Sequence, residues 1–478
     1  MTPPDHTPSD HTRADHIGAE LTLAERTLAE QRMTERTLTG WGRVSSSRAR
    51  VAGPLDPAQI AGLIVSDMPG GVLARGAGCS YGDAAQNTRG VVLNPVTERS
   101  TGLDLEPGRA VVRASASVTF TELLARTVPL GLLPPVLPGT GQLTVGGAVA
   151  ADVHGKNQHT DGSISSWIDE IELVDGTGAL RAVCPGTPAF RATVGGLGLT
   201  GVIVSVRLRL RPIRSARLWV TTRSLPDLDS LLAAQDDTAA QYAVSWLDLS
   251  ATGRELGRGV LETGDHLPAP DPVRERDGLR YTPARSWSAP ELPFSPVTPG
   301  TAWAFNRRWH RSSPAGRTSE AGIGAYFHPL DAVRNWNRAL GPAGFRRYQF
   351  VVPLGEEKML AGVIAELQRH RAAAFLGTLQ RFGAASGNYL SFPRPGWSLA
   401  VDMPARRPGL DRLLGGLDEQ VAEAGGRVYL AQDSRLSRPV AAAMYGASLD
   451  QWRVARAALD PAARFRSDLG RRLGLAGP

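Results

Sequence analysis

Lysine and cysteine are both scarce in this chain of 478 residues. Of the 53 lysines and arginines, only Lys156 and Lys358 are lysines. The two cysteines, Cys79 and Cys184, give no disulfide framework and lack the spacing of zinc ligands, so no metal site is predicted. No apolar run approaches the roughly 20 residues that cross a bilayer, and the polar start of the chain lacks the apolar segment of a secretory signal. The sequence therefore predicts a cytoplasmic protein without a transmembrane segment.

The composition is that of a globular protein with two or three domains. Hydrophobic residues make up 42% of the chain, and the mean hydropathy is −0.16. The formal net charge of +7 and the pI near 9.8 would suit a nucleic-acid partner. However, the arginines are spread along the chain among acidic residues, and no nucleic-acid-binding motif accompanies them. We therefore predict no nucleic-acid partner.

Residues 138–159, PGTGQLTVGGAVAADVHGKNQH, concentrate glycine and other small residues. Glycine lacks a Cβ atom, so a backbone rich in it can approach a ligand closely and present its N–H groups. This pattern predicts a cradle for a large phosphate-bearing cofactor. A glycine-rich turn region in the protein core would give the same pattern.

Polar groups end this segment at His154, Gly155 and Lys156. The lysine is notable because almost every other positively charged residue in the chain is an arginine. A lysine ammonium is a compact charge with a tunable pKa. We interpret Lys156 and His154 as reactive groups at the end of the cradle. The alternatives are a solvated surface lysine and a histidine that makes only a structural hydrogen bond.

Hydrophobic periodicity and turn residues predict alternating helices and strands up to about residue 216. The expected elements are helices at Pro57–Val65 and Phe120–Thr127, strands at 71–74, 91–93 and 110–112, and a hairpin of 170–174 with 180–183.

Residues 78–82, GCSYG, match the G-x-S-x-G pattern of a hydrolase nucleophile elbow. The residues that follow, DAAQNTRG, are poor material for the buried helix that an elbow requires, so a hydrolase is disfavoured. The dinucleotide fingerprint G-x-G-x-x-G also fails here, because Tyr81 occupies the place of a glycine.

The pattern changes after residue 216. Residues 257–321 are rich in Pro, Gly and Arg with little periodicity, which predicts a long lid-like loop. Residues 1–36, which include His6, His11 and His16, are predicted to form a flexible tail. Further expected elements are strands at 348–352 and 397–401, helices at 358–370 and 410–425, and paired helices over 449–473.

Taken in order, several segments resemble a known family. The sequence is similar to the decaprenylphosphoryl-β-D-ribose oxidase family, within the vanillyl-alcohol-oxidase type of FAD proteins. The resemblance covers about residues 37–475. The segments that carry it are LTGWGR, ARGAGCSYGDAAQN, VLPGTGQLTVGGA, HGKN, TVGGLGLTG, FHPLD, WNRALGPAGF, YQFV, LSFPRPGW and QDSR.

The resemblance implies an α+β fold with two domains. Residues 37–216 plus 427–478 would form the FAD-binding domain, and the inserted residues 217–426 would form a substrate-binding domain with an antiparallel sheet. Many relatives attach FAD covalently through a histidine where this chain has Cys79, so we expect non-covalent FAD. The residues expected to bind FAD are Arg75, Gly76, Ala77, Gly78, Cys79, Ser80, Tyr81, Pro138, Gly139, Thr140, Thr144, Gly146, Gly147, Ala148, His154, Gly155, Asn157, Gly195, Gly198, Gly201 and Tyr429.

In this family the flavin accepts a hydride from a sugar carbon while the hydroxyl loses its proton, which gives a ketone. Lys156 could stabilise the developing alkoxide or a reduced-flavin anion, and His154 or Tyr81 could relay the proton. Tyr81 could also be a packing residue that caps a loop. The resemblance implies the catalytic residues Tyr81, His154, Lys156, Gln349 and Gln432. It implies the substrate-binding residues Trp246, Phe327, Arg347, Gln349, Gln380, Phe382, Ser398 and Gln432.

Several substrate-side positions depart from the family pattern. Gln380 and Gln432 stand where the family has lysines, and Arg347 replaces a glutamine. The loss of two ammonium groups removes charge that an anionic lipid-linked sugar would use, and Arg347 restores only one cation. We therefore expect a neutral or cationic glycoside, nucleoside or aminocyclitol as substrate. The other departures are Phe327 for tyrosine, Ser398 for asparagine and Ala400 for cysteine.

Three alternatives stay open. The enzyme could oxidise decaprenylphosphoryl-ribose itself, or it could be an alditol or aldonolactone oxidase that passes electrons to oxygen. A non-catalytic flavin-binding or nucleic-acid-binding protein is the third. The family resemblance also implies a partner NAD(P)H-dependent reductase that would return the ketone to an epimerised alcohol.

Overall fold

The computed structural model describes residues 33–94, 102–268, 278–313 and 316–475. Its strands are β1 Thr34–Thr39, β2 Ser46–Ala52, β3 Val72–Ala74, β4 Val91–Leu93, β5 Leu103–Leu105, β6 Val111–Ser115, β7 Leu132–Leu133, β8 Ile168–Val174, β9 Leu180–Val183, β10 Val202–Arg209, β11 Arg211–Pro212, β12 Arg217–Leu225, β13 Tyr242–Leu247, β14 Gly259–His266, β15 Trp287–Ser288, β16 Arg317–Gly322, β17 Val333–Arg334, β18 Phe345–Val352, β19 Leu376–Phe382, β20 Gly396–Pro404 and β21 Arg427–Val428. Its α-helices are α1 Pro57–Val65, α2 Phe120–Thr127, α3 Val145–Ala150, α4 Gln158–Asp161, α5 Pro188–Thr193, α6 Leu228–Asp236, α7 Pro299–Ser312, α8 Ile323–Phe327, α9 Glu357–Arg369, α10 Leu410–Glu423, α11 Arg438–Leu459 and α12 Asp468–Leu473.

The two helices predicted for the first half are present, and each begins with a capping box. A capping box between Asp56 and Gln59 begins α1, and another between Thr119 and Glu122 begins α2. Each box satisfies backbone N–H groups that the first turn of a helix leaves without partners. The hairpin of β8 and β9 is also present, with Val174 opposite Leu180. These predictions are confirmed.

Two sheets come from the first half of the chain. The smaller has the order β1-β2-β4-β3, and the larger has the order β5-β6-β10-β8-β9. Buried residues of the five-stranded sheet, such as Val206, pack with Phe120 of α2 and Val145 of α3 in one hydrophobic cluster. This packing fixes the start of α3, and with it the glycine-rich segment that leads into the helix.

The third large sheet has eight strands in the order β16-β12-β14-β13-β19-β20-β18-β21, and every neighbouring pair is antiparallel. All of its strands come from residues 217–428, so the predicted antiparallel sheet is present. Its largest core cluster joins Phe350 and Leu399 of this sheet with Leu73 and Leu199 from the first half. The division into two domains stays a prediction.

Two boundaries drawn from the sequence are wrong. The lid-like loop predicted for residues 257–321 contains β14, which lies inside the eight-stranded sheet, as well as α7 and β16. Pairing with neighbouring strands overrides the weak periodicity of this segment. Ordered structure also begins before residue 37, because β1 pairs with β2 from Thr34 onward. Residues 1–32, with the three histidines of the predicted tail, lie outside the described residues.

The last helix anchors the glycine-rich loop that follows β3. Arg472 forms ion pairs with Asp83 and with Asp433, each at 2.8 Å. A Cβ atom on Gly82 would lie 1.8 Å from the carbonyl oxygen of Asp433, so only glycine permits this approach. The contacts tie together three segments that are far apart in the sequence. They fix one end of the site described next.

Within the described ranges, no helix has both the length and the apolar character needed to cross a membrane.

Candidate active site

A cavity of about 900 Å³ lies where the glycine-rich loops meet one face of the eight-stranded sheet. Side chains alternate between the two faces of a strand, so registered residues share a face. Gln349 lies opposite Ala400, and Ala400 lies opposite Thr378, and all three line the cavity. The predicted residues that line it are Gly76, Ala77, Gly78, Cys79, Ser80, Tyr81, Pro138, Gly139, Thr140, Thr144, Gly146, Gly147, His154, Gly155, Lys156, Gly198, Gly201, Trp246, Phe327, Arg347, Gln349, Gln380, Tyr429 and Gln432.

The loop at residues 76–80 presents backbone donors to this cavity. None of its five N–H groups donates to a protein acceptor in the described part of the chain. Gly78 has φ +72, and a Cβ atom there would lie 2.3 Å from a guanidinium nitrogen of Arg75. A row of unpaired N–H groups is typical of an anion-binding concavity. No helix follows at residues 81–90, so the hydrolase elbow is excluded.

Arg75 supports this loop from behind. Its guanidinium donates to the carbonyl oxygens of Ala85 at 2.8 Å and Thr39 at 2.7 Å. Arg75 does not line the cavity, although the sequence predicted that it binds the cofactor. The arginine positions the loop backbone, which would contact the ligand.

The second glycine-rich loop is held by a carboxylate from the other half of the chain. Asp331 accepts hydrogen bonds from the Thr140 hydroxyl and the Gly141 N–H, both at 2.7 Å. Thr144 caps α3 by accepting from the Gly147 N–H at 3.2 Å. These contacts fix residues 138–147 along the cavity.

Cys79 lines the cavity as a neutral thiol. Burial, with a smaller contribution from Asp331, raises the pKa of this thiol to about 11. A protonated thiol is a poor nucleophile. This favours non-covalent FAD, which stays a prediction.

His154 lies buried among the aromatic rings of Phe382, Phe392 and Tyr429. Burial lowers the pKa of its imidazole to about 4, so the ring is neutral at pH 7. Its Nε2 accepts a hydrogen bond from the amide of Gln349 at 3.2 Å, and its Nδ1 has no partner in the described residues. The site therefore contains a fixed, uncharged imidazole.

Lys156 is buried and paired. Its Nζ lies 2.6 Å from Oε1 of Glu262, donates to the carbonyl oxygen of Tyr326 at 2.8 Å, and lies 3.7 Å from the centre of the Tyr326 ring. Burial lowers the pKa of Lys156, whereas Glu262 raises it. The surface-lysine interpretation is wrong, because only 13% of the side chain is exposed.

Arg347 lies opposite Asp402 in the sheet and forms two hydrogen bonds with it, at 2.7 and 2.6 Å. Its guanidinium also lies 4.2 Å from the centre of the Tyr81 ring. Burial alone would lower the pKa of Arg347, but Asp402 raises it above its ordinary value. Arg347 does bring a cation to the pocket, as predicted, but Asp402 compensates its charge.

The two glutamines that replace family lysines have different environments. Gln380 donates to the carbonyl oxygen of Gly155 at 3.1 Å. The Oε1 atom of Gln432 is buried and has no partner in the described residues. An unsatisfied buried acceptor carries a free-energy cost unless a ligand or water donates to it.

Six predicted site residues lie behind the cavity wall instead of lining it. Phe382 packs against His154, and Ser398 accepts a hydrogen bond from Gln349 at 3.3 Å. Asn157 donates to the carbonyl oxygen of Pro135 at 2.8 Å. Their structural roles are to support residues that line the cavity. The full set is Arg75, Ala148, Asn157, Gly195, Phe382 and Ser398.

The sequence reasoning missed two carboxylates, Glu262 and Asp402. Each neutralises a cation at the cavity, Lys156 in one case and Arg347 in the other. No local motif surrounds either carboxylate, and Glu262 falls in the segment that was predicted as a loop. A correct strand register for the eight-stranded sheet would have placed Asp402 opposite Arg347, whereas the pair of Glu262 with Lys156 joins this sheet to a turn outside it.

These features fit a dinucleotide cofactor and define a class of protein. Unpaired N–H groups and glycines that exclude a Cβ atom would hold the diphosphate, while polar side chains face the other end of the cavity. The family model described as an FAD binding domain matches residues 64–183. The protein is a flavoprotein that binds FAD.

Relatives identify the family. The chain is 36% identical over 454 residues to decaprenylphosphoryl-β-D-ribose oxidase of Mycolicibacterium smegmatis, a match that covers 92% of this chain and 97% of the relative. It is 39% identical over 376 residues to an uncharacterised Streptomyces coelicolor protein, covering 75% of this chain and 100% of the relative. Rice cytokinin dehydrogenase 9 (Oryza sativa subsp. japonica) is 31% identical over 192 residues, covering 38% of this chain and 36% of the relative.

The chain therefore belongs to the decaprenylphosphoryl-β-D-ribose oxidase family of FAD-dependent oxidoreductases. It is an enzyme that acts on CH–OH groups with FAD as cofactor. The predictions of the family, the cofactor and this reaction class are confirmed.

Proposed function

We propose that this enzyme oxidises a secondary hydroxyl of a neutral or cationic sugar derivative to a ketone. Glycosides, nucleosides and aminocyclitols are the substrate classes. The observation that carries the proposal is the charge pairing at the cavity. Among the described residues that line it, the cations are Lys156, Arg334 and Arg347, and the first and last are each paired with a carboxylate. Only the exposed Arg334 has no carboxylate partner among the described residues and would offer an anionic phosphate an uncompensated positive charge.

The chain's own residues would manage the substrate hydroxyl. FAD, when bound, supplies the hydride acceptor. The ammonium of Lys156 stabilises negative charge on the hydroxyl oxygen, and Nε2 of His154 takes the hydroxyl proton in place of the hydrogen bond from Gln349. Gln349 fixes the direction of that imidazole through its hydrogen bond. Burial raises the pKa of Tyr81, so its hydroxyl acts as a hydrogen-bond donor and not as a base.

Anaerobic flavin bleaching tests the proposal. The FAD-loaded enzyme is mixed with unphosphorylated glycosides, nucleosides and aminocyclitols, and separately with a polyprenyl-phosphate ribose. We expect the flavin band to bleach with a member of the first group and not with the second. Gln380→Lys and Gln432→Lys are the matched variants, because each restores an ammonium at a position that lines the cavity. Both variants should improve reaction with the phosphorylated sugar.

The second candidate is oxidation of decaprenylphosphoryl-ribose itself. The 36% identity over 92% of the chain to the Mycolicibacterium smegmatis enzyme of that name favours it. Faster bleaching of the wild-type flavin by the polyprenyl-phosphate sugar than by every unphosphorylated compound would select this candidate.

The fate of the electrons and of the ketone is part of the same proposal. A partner reductase that uses NAD(P)H would return the ketone to an epimerised alcohol. The ketone should accumulate with the purified enzyme and disappear when NADPH and extract from the source cells are added. Rapid reoxidation of the flavin by dissolved oxygen would instead indicate an alditol-oxidase type of enzyme.

A further inference from the structure

Glu262 does not line the cavity, but it contacts Lys156, which does. It lies on β14, directly opposite Val244 of β13, and Val244 lines the cavity whereas Glu262 does not. Its Oε1 lies 2.6 Å from the Nζ of Lys156. Glu262 is therefore placed to act on the site through the lysine and not through the substrate.

The other groups that lie next to the Lys156 ammonium are uncharged. Tyr326 contributes its carbonyl oxygen and its ring, and burial raises the pKa of its hydroxyl. His328 is neutral at pH 7, because burial and, to a smaller extent, the charge of Lys156 lower its pKa to about 4. Tyr242 packs against the Tyr326 ring, and Asp265 acts electrostatically on both tyrosines. In the described part of the chain, Glu262 is the only carboxylate that contacts the ammonium.

The ammonium has three N–H bonds and two identified protein acceptors. Glu262 and the carbonyl oxygen of Tyr326 take two of these bonds, at 2.6 and 2.8 Å. The third has no hydrogen-bond acceptor among the described residues; the Tyr326 ring lies 3.7 Å from Nζ, and Lys156 lines the cavity. A buried lysine without a counter-charge loses its proton readily. Removal of Glu262 would leave this ammonium among neutral groups.

We infer that Glu262 is a positioning residue that keeps the Lys156 ammonium charged and directed into the cavity, and thereby sets the upper pH limit of substrate oxidation. The inference rests on the proposed role of Lys156 in stabilising the substrate oxygen. Its first test, however, needs no substrate.

The scarcity of lysine makes that test direct. The FAD-loaded chain with ¹³C at lysine Cε should give two signals, from Lys156 and from Lys358, which is exposed in α9. Lys358→Arg assigns them. We expect Glu262→Gln to lower the titration midpoint of the Lys156 signal by about one to three pH units, the usual effect of losing an adjacent opposite charge. Glu262→Asp should lower it less.

Glu320→Gln is the matched control. It makes the same substitution in the same sheet, at a carboxylate that pairs with Arg217 at 2.8 Å. The Lys156 midpoint should not move in this variant. An unchanged midpoint in Glu262→Gln would overturn the inference. If Glu262→Gln does not load FAD, the smaller shift in Glu262→Asp decides the question.

The second test is the pH profile of flavin reduction with the best substrate of the panel. The alkaline limb should move to lower pH in Glu262→Gln and return towards the wild-type position in Glu262→Asp. A shifted Lys156 midpoint with an unshifted profile would overturn the claim about the pH limit. Failure of every sugar to reduce the flavin would contradict the proposed function. The lysine titration would then still decide whether Glu262 holds the charge.

Discussion

The two sides of the cavity use different parts of the polypeptide. On the cofactor side, residues 76–80 offer backbone N–H groups that no protein acceptor in the described chain takes. On the sheet side, the polar groups that face the cavity belong to side chains. The two paired cations there, Lys156 and Arg347, already have carboxylate partners on the sheet. The cofactor side can therefore bind an anion, whereas on the sheet side the positive charges of Lys156 and Arg347 are already neutralised without a substrate. Under the proposed function, this difference would place substrate selectivity on the sheet face, whereas the loops would hold the cofactor.

The largest expected effect comes from breaking a pair on the sheet side. Asp402→Asn removes the partner of Arg347, and the Asp402 side chain is only 1% exposed. Loss of one member of a buried ion pair leaves the other charge uncompensated, so the free energy of unfolding should fall by about 3–5 kcal/mol. Urea unfolding measures this. Asp450→Asn breaks the exposed pair with Arg453 and should cost less than about 1 kcal/mol. Equal losses in the two variants would contradict the comparison.

One added methyl group in the loop at residues 76–80 should weaken FAD binding. Gly78→Ala places a Cβ atom 2.3 Å from the Arg75 guanidinium, at a residue with φ +72. Strain of about 2–3 kcal/mol should weaken FAD binding by roughly 30- to 150-fold. Titration with FAD, followed by flavin fluorescence, gives the affinity. Gly108→Ala has a similar φ, +71, with no atom within 4 Å, and should bind FAD normally. Normal binding by Gly78→Ala would show that the loop does not need its glycine.

Because the imidazole of His154 is held neutral, the free energy of unfolding should fall at acid pH. The pKa of His154 is lowered by burial from 6.5 to about 4 in the folded protein. Below pH 6.5 the unfolded chain therefore binds the proton first, and stability falls until the pH approaches 4. The loss between pH 7 and pH 5 should be about 2 kcal/mol.

The measurement is urea unfolding at both pH values, at one FAD concentration, for the wild type and His154→Gln. The variant should lose about 2 kcal/mol less than the wild type. His328, whose pKa burial also lowers to about 4, is present in both proteins and serves as an internal reference. Identical pH dependence in the two proteins would mean that His154 is not held neutral.

The smallest expected effect is at Cys79. Its thiol is neutral at pH 7, because burial raises its pKa to about 11. Acid precipitation should therefore release FAD into the supernatant equally from the wild type and from Cys79→Ser. A yellow pellet from the wild type alone would reveal a covalent link and change the account of the cofactor side.

The cofactor side could be predicted from the sequence because the patterns that mark it are local. Glycine clusters at residues 76–82 and 138–147 marked the loops directly. On the sheet side, Lys156 finds its partner 106 residues away and Arg347 finds its partner 55 residues away. The Arg347 pair depends on strand register, and the Lys156 pair depends on how a turn packs against the sheet; both are set by tertiary structure. Consequently the role of Glu262 could not be predicted, and this residue fell in a segment predicted as a loop.

The anchor formed by Arg472 bears on the order in which the molecule assembles. This arginine joins Asp83, 389 positions earlier in the chain, to Asp433. Contacts of such long sequence separation form late in folding, because chain closure over that distance is entropically costly. We therefore expect FAD binding, and the yellow colour that it gives, to need the C-terminal helix α12 as well as the segments that line the cavity.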